Sequence, residues 1–197
     1  MSVKRINLSA TGIICDRAVA KEGEARSTKH LPPPCKRRGG DSKNKNCRNT
    51  QKIHEYVLKF HPESNSTSSL CPLGQDVEIH SYTDDTQLKN TLGRLLHRLV
   101  INEAFTTKDI VILTTTRRQS LQNQVVGKFR IKATPDINGP EILCNTIHHF
   151  KGLESKVVIL IETESNPPNH KQLLYVGASR ARHHLIILRP NASVNRR

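Results

Sequence analysis

Val157-Val158-Ile159-Leu160-Ile161 constrains the fold more than any other stretch. Successive side chains of a strand point to opposite faces, so five β-favouring residues in a row suit a strand covered on both sides. Asp109 to Leu113 and Leu185 to Leu188 read in the same way. Helical periodicity lies between these runs. It is clearest over Thr86 to Ala104, where Leu88, Leu92, Leu95, Leu96, Leu99 and Val100 recur at helical spacing and Asp84 or Asp85 can cap the start. Asn46 to Phe60 predicts a second helix, with Ile53, Val57 and Phe60 on one face and Asn49 or Thr50 as its cap. Asp76 to Thr83 alternates, predicting a strand with Val77 and Ile79 on one face and Glu78 and His80 on the other. Leu121 to Phe129 predicts a helix, Arg130 to Pro140 a loop or an edge strand, and Leu173 to Gly177 a helix packed on the sheet. Strands alternating with helices over 76–188 predict an α/β domain: a mainly parallel sheet with helices on both faces.

The flanks read differently. Residues 1–45 carry little apolar pattern, a Leu31-Pro32-Pro33-Pro34 run and a basic stretch from Cys35 to Lys45, and are expected to be a poorly ordered basic segment or the remnant of an upstream domain. His61 to Gly74, rich in Ser, Pro and Asn, reads as a surface loop, and 191–197 as a short basic tail. The folded domain is therefore expected over 46–190. The net charge of +14, from 31 Lys and Arg against 17 Asp and Glu, favours a polyanionic partner such as nucleic acid. The first fifty residues hold 12 of those cations and 4 of the acids, so +8 of the surplus belongs to the amino-terminal segment. Five cysteines without a CxxC pair or zinc-like spacing predict reduced thiols, no metal site and an intracellular protein. No apolar run approaches the roughly 18 residues of a membrane helix.

Candidate functional residues gather in Thr146-Ile147-His148-His149-Phe150-Lys151-Gly152-Leu153-Glu154, a polar connection between two strands. Loops at the carboxyl ends of buried strands are where open α/β sheets place ligand groups. Hydroxyl, imidazole and ammonium donors suit a phosphate backbone, Gly152 permits a tight turn, and Glu154 can accept from a sugar hydroxyl. An ordinary polar connection fits these residues equally well. Thr114-Thr115-Thr116-Arg117-Arg118, after a buried strand, offers a second phosphate-directed set or simply helix capping with exposed arginines.

Thr146 to Leu160 resembles motif V of superfamily-one helicases of the UvrD/Rep/PcrA type, and Leu173 to Leu188, with Gly177-Ala178-Ser179-Arg180-Ala181-Arg182 at its centre, resembles their motif VI. Asn46-Cys47-Arg48-Asn49 is similar to the family's Asn-Tyr-Arg-Ser/Thr motif, with Cys47 where the tyrosine stands. The resemblance implies the second, carboxyl-terminal RecA-like domain of a P-loop NTPase motor. Arg48 and Arg180 would be its arginine fingers, with Glu154 and Gly152 beside them at the nucleotide. Thr146, His148, Lys151, Thr115 and Arg117 would contact single-stranded nucleic acid, DNA in preference to RNA. Tyr175 would pack nearby. The implied cofactor is ATP with Mg²⁺, bound mainly by a first RecA-like domain. The chain itself has no GxxxxGK[ST] phosphate cradle, since Gly127-Lys128 is followed by Phe129 and lacks the earlier glycine, and no Asp-Glu pair follows an apolar strand. The domain alone is therefore expected to be inactive. A truncated or degenerate helicase domain that binds nucleic acid or protein without turnover is the alternative. Arg180 also reads as a charge partner for a helix carboxyl end, and Glu154 as a surface acid.

Overall fold

The computed structural model describes residues 45–60, 68–116, 121–136, 139–163 and 168–191. Chain contacts divide the protein into Met1–Leu31 and Pro32–Arg197, and every described residue belongs to the second unit. The expectations for residues 1–44, for Arg117 and Arg118 and for 192–197 fall outside the described residues.

The elements are β1 (Lys45–Asn46), α1 (Gln51–Leu58), β2 (Ser68–Ser69), β3 (Glu78–Tyr82), α2 (Asp85–His97), β4 (Ile110–Thr114), β5 (Gln124–Val126), β6 (Phe129–Lys132), β7 (Ile142–Thr146), β8 (Ser155–Ile161), α3 (His170–Ala178) and β9 (Ala181–Pro190). Seven strands form one sheet in the order β3-β9-β8-β4-β7-β6-β5. The sheet is mixed. β8 is parallel to β4 and to β9, β4 to β7, β7 to β6 and β9 to β3, whereas β5 runs antiparallel to β6. The expected α/β class thus holds as a mixed sheet flanked by helices.

The apolar runs are apolar for the reason inferred from their pattern. Ile110, Ile112, Val157, Ile159 and Ile161 pack with Leu88, Leu92 and Leu96 of α2, while Val111, Leu113, Val158 and Leu160 pack with Ile53 and Val57 of α1 and Leu173 and Leu174 of α3. Alternate residues of the same strands therefore feed two separate cores. The Asp84 carboxylate caps α2 by accepting from the Gln87 amide at 2.8 Å. Beyond His97 the helix widens into a π-helical turn, Arg98–Asn102, and Ala104 at φ 58° ends it, so the regular helix is shorter than its leucine repeat.

Three expectations are corrected. Leu121 to Phe129 is not a helix: β5 and β6 form a hairpin across Gly127-Lys128. Val126, Phe129 and Ile131 are buried by strand alternation, and Asn123 and Gly127 take positive φ values of 61°. A short apolar run satisfies helical and strand periods alike, and here the sheet edge supplied the partner. Ile79 does not share a buried face with Val77. It is 47% exposed on the edge strand β3, while Val77 leans on the α1/α3 core. The stretch expected to be a surface loop contains β2, which pairs with β1, and a buried Cys71.

On the covered side of β3 lies a charged cluster. Glu78 accepts from Arg98 at 2.8 Å through each oxygen and lies 3.1 Å from His80 and 3.1 Å from the buried His184. Arg98 also reaches Glu103 at 3.2 Å. Burial holds the His184 imidazole below its ordinary 6.5, against the pull of Glu78 and Glu103. Arg98, His80 and His184 hold the Glu78 carboxyl below its ordinary value despite partial burial. In the unfolded chain both groups bind protons at higher pH than in the fold, so acidification favours unfolding. Thermal melts should lose stability first as pH falls below about 6.5, from His184, and again below the carboxylate range, from Glu78. His184→Phe should shrink the first step, which His183, also held low by burial, shares, and should reduce the second by removing one of the groups that hold Glu78 low. In urea melts Ile159→Ala should cost about 2–5 kcal/mol, while Val125→Lys, on the exposed hairpin, should stay within about 0.5 kcal/mol.

Candidate nucleotide-facing edge

Parallel pairing brings the amino ends of β8 and β9 level. Ser155 is in register with Ala181, and the Ser155 amide donates to the Arg180 carbonyl at 3.0 Å. Glu154 and Arg180, one residue before each strand, therefore stand at the same edge. Arg48 arrives from the segment ahead of α1, and its Nε lies 2.5 Å from Glu154 Oε1. Three residues from distant parts of the chain meet here.

Arg180 is half-buried after the end of α3. Its Nε donates to the Val176 carbonyl at 3.1 Å, so part of the guanidinium serves the helix terminus. Burial, then the charge of Arg48, lowers the Arg180 pKa, while Glu154 and Tyr175 oppose the shift. Two guanidiniums within electrostatic reach of each other and of one carboxylate leave a net positive site. An anion entering it would relieve the repulsion between the arginines.

The connection that leads to Glu154 is less polar inside than its composition suggests. Ile147 and Phe150 are buried in the α1/α3 core, which turns His148, Lys151 and Gly152 outward. The Phe150 amide donates to the Thr146 carbonyl at 3.2 Å and the His149 amide to the Thr146 hydroxyl at 3.4 Å, forming a single helical turn, and Gly152 at φ 87° redirects the chain towards β8. α3 packs closely on this turn because position 177 has no side chain. A Cβ there would come within 2.9 Å of Leu160 Cδ1 and 3.0 Å of Ile147 Cδ1.

The connection runs from one edge of the sheet to the other, because β7 and β8 both run parallel to β4. Thr146 and Thr115 lie at the carboxyl edge, a strand length of roughly 20 Å from Glu154. The expectation that the whole stretch marks a carboxyl-edge site is therefore corrected: its two ends serve opposite edges. Thr115 is 3% exposed, and its hydroxyl pairs with that of Thr163 at 3.0 Å. A cleft of about 240 Å³ opens beside Glu154 between Lys108, Leu143 and Phe150, and neither arginine lines it.

Cys47 is exposed next to Arg48, and Cys71 and Cys144 are buried. Burial pushes the Cys144 thiol up to about 12, so it behaves as an inert apolar group. Among the described residues no cluster of three His, Cys, Asp or Glu could hold a metal ion, and no helix is long and apolar enough to cross a membrane. Periodicity cast Asn49 or Thr50 as a helix cap. Thr50 takes the cap position without a side-chain hydrogen bond, and the Asn49 side chain reaches the start of β9 instead. The only advance sign was the pair of asparagines flanking Cys47-Arg48.

The model of the UvrD-like helicase C-terminal domain family matches residues 141–188, 48 of the 197, which include Glu154 and Arg180 but not Arg48. The crystal structure of the C-terminal domain of a possible DNA helicase from Lactobacillus plantarum WCFS1 superposes with a TM-score of 0.53 at 16% identity, over 73% of this chain and 86% of that one. At this identity the likeness is one of fold. Comparison with curated protein sequences gives no match.

Gly177→Val should destabilise the fold by about 1–3 kcal/mol through overpacking against Leu160 and Ile147. Gly152→Ala, whose added methyl meets no atom within 4 Å, should cost about 1 kcal/mol, from its left-handed backbone alone. Equilibrium urea unfolding of the two variants checks both values.

Proposed function

We propose that this chain is the carboxyl-terminal RecA-like domain of an ATP-dependent helicase or translocase acting on single-stranded nucleic acid, DNA in preference to RNA. In this reading it completes a nucleotide site whose phosphate cradle belongs to a P-loop-bearing first domain. Arg48 and Arg180 are the arginine fingers, Glu154 accepts from the ribose hydroxyl, and Gly152 lets the chain turn beside it. The single observation that carries the reading is the meeting of Arg48, Glu154 and Arg180 at one edge of the sheet. The match of residues 141–188 to a helicase domain family and the likeness of fold to a helicase domain support it.

The residues present fit the cation side of phosphoryl transfer. ATP supplies the phosphoryl group, and Mg²⁺ neutralises its charge when bound. With no acidic cluster among the described residues, the chain's contribution lies in its arginines. A guanidinium offers planar paired donors that match phosphate oxygens and stays charged at any physiological pH. Held at a fixed place, it stabilises charge that develops on the transferred group without reorganising. Glu154 pairs with Arg48. Arg48 is half-exposed, and such a pair contributes under about 1 kcal/mol, so phosphate oxygens can displace it. His148 and Lys151, exposed on the connection, and Thr146, at the carboxyl edge, are the proposed contacts to the nucleic-acid strand, with Arg117, which lies outside the described residues; Thr115, buried and bonded to Thr163, is too covered to share in that contact.

The test is ATP hydrolysis in the presence of single-stranded DNA, by the chain alone and mixed with a P-loop-bearing first RecA-like domain. Hydrolysis should arise only in the mixture and fall by about 10³-fold or more with Arg180→Ala. Unchanged turnover by that variant would overturn the assignment. Salt-sensitive DNA binding without hydrolysis in any mixture would favour the non-catalytic binding module.

A further inference from the structure

We infer that Asn49 is the positioning residue that sets the two arginines relative to each other. Its carboxamide nitrogen donates to the Ser179 carbonyl at 3.0 Å and to the Ala181 carbonyl at 2.5 Å, the two carbonyls that flank Arg180 in the chain. A carboxamide carries two N–H donors, and both are used here. Its oxygen accepts from the Asn46 side-chain amide at 3.2 Å. The Asn46 oxygen in turn accepts from the Arg48 backbone amide at 2.9 Å and the Asn49 amide at 3.4 Å. Arg48 is thus held in a turn closed by two asparagines, and that turn is fastened on both sides of Arg180.

Other ties between the two segments are weaker. The Thr50 amide reaches the Arg182 carbonyl at 3.3 Å, and the Arg48–Glu154 pair is largely solvated. Asn49 is 4% exposed, so its hydrogen bonds operate away from competing water. Shortening it removes both donors from carbonyls beside Arg180 and frees the turn that carries Arg48. Nothing in the carboxamide touches the nucleotide-facing side chains themselves, so it acts through backbone placement. The consequence for nucleotide rests on the function proposed above.

The experiment follows the Arg48 and Arg180 Nε–H resonances of the full chain, mixed with a P-loop-bearing first RecA-like domain, by nitrogen-edited NMR, assigned with single Arg→Lys variants, while ATP is added to about 10 mM, a range suited to weak binding. In the unsubstituted chain the two resonances should move with one common midpoint. In Asn49→Ala the midpoints should separate, and at least one should weaken by about five-fold or more. Asn49→Ser keeps one donor and should fall between; it carries the comparison if the alanine variant does not fold. Leu96→Ala, a truncation in the other core, on α2, should lower the melting temperature yet keep the common midpoint, which separates positioning from general loss of stability. A common, unchanged midpoint in a folded Asn49 variant would overturn the role of Asn49 and leave the nucleotide reading standing. Failure of both resonances to move in the unsubstituted chain would overturn both.

Discussion

The pairing of β8 with a parallel neighbour on each side governs the rest of the molecule. β8 lies between β4 and β9, and its side chains enter both cores in alternation. Its backbone polar groups are thus satisfied inside apolar surroundings, where an unpaired amide or carbonyl would be costly. The direction of pairing has a second effect. Parallel strands begin at the same edge, so the residues just before β8 and β9 become neighbours although 26 positions separate Glu154 from Arg180.

What gathers at that edge is held by unlike forces. The Thr146–Glu154 connection is anchored by Ile147 and Phe150, two apolar groups within an otherwise polar stretch. α3 lies close because Gly177 lets it, and the carboxamide of Asn49 ties the turn before α1 to the start of β9. Against this rigid backing the charged groups are loosely engaged. Arg48 and Glu154 are paired near solvent, and Arg180 gives part of its guanidinium to a helix end. A firm backbone with exchangeable charge partners would suit the anion-accepting role proposed for this edge.

At the opposite edge and on the outer strand, polar groups have a structural role. Thr115 and Thr116 both pair with Thr163. Glu162 is shared between His170 and Arg189, and its backbone carbonyl accepts from Tyr82. The Glu78–Arg98–His184 cluster joins β3, the π-helical turn and β9. These networks close gaps left where the sheet ends and the apolar cores thin out.

The amino-acid sequence by itself determined the strands β4, β8 and β9, because residues buried on both faces must be continuously apolar. It determined α2 as well, because six apolar residues at helical spacing admit one face and its cap was legible in Asp84. Arg48, Glu154 and Arg180 were singled out from their motifs alone. Only the tertiary structure decided that these three residues meet, since strand order and direction carry no local signature. It also decided that Val125 to Ile131 would pair as a hairpin, because Val126, Phe129 and Ile131 are compatible with either period until an edge strand is present to bond. The role of Asn49 was decided in the same way: a carboxamide ahead of a helix reads as a cap until the fold brings two carbonyls within its reach.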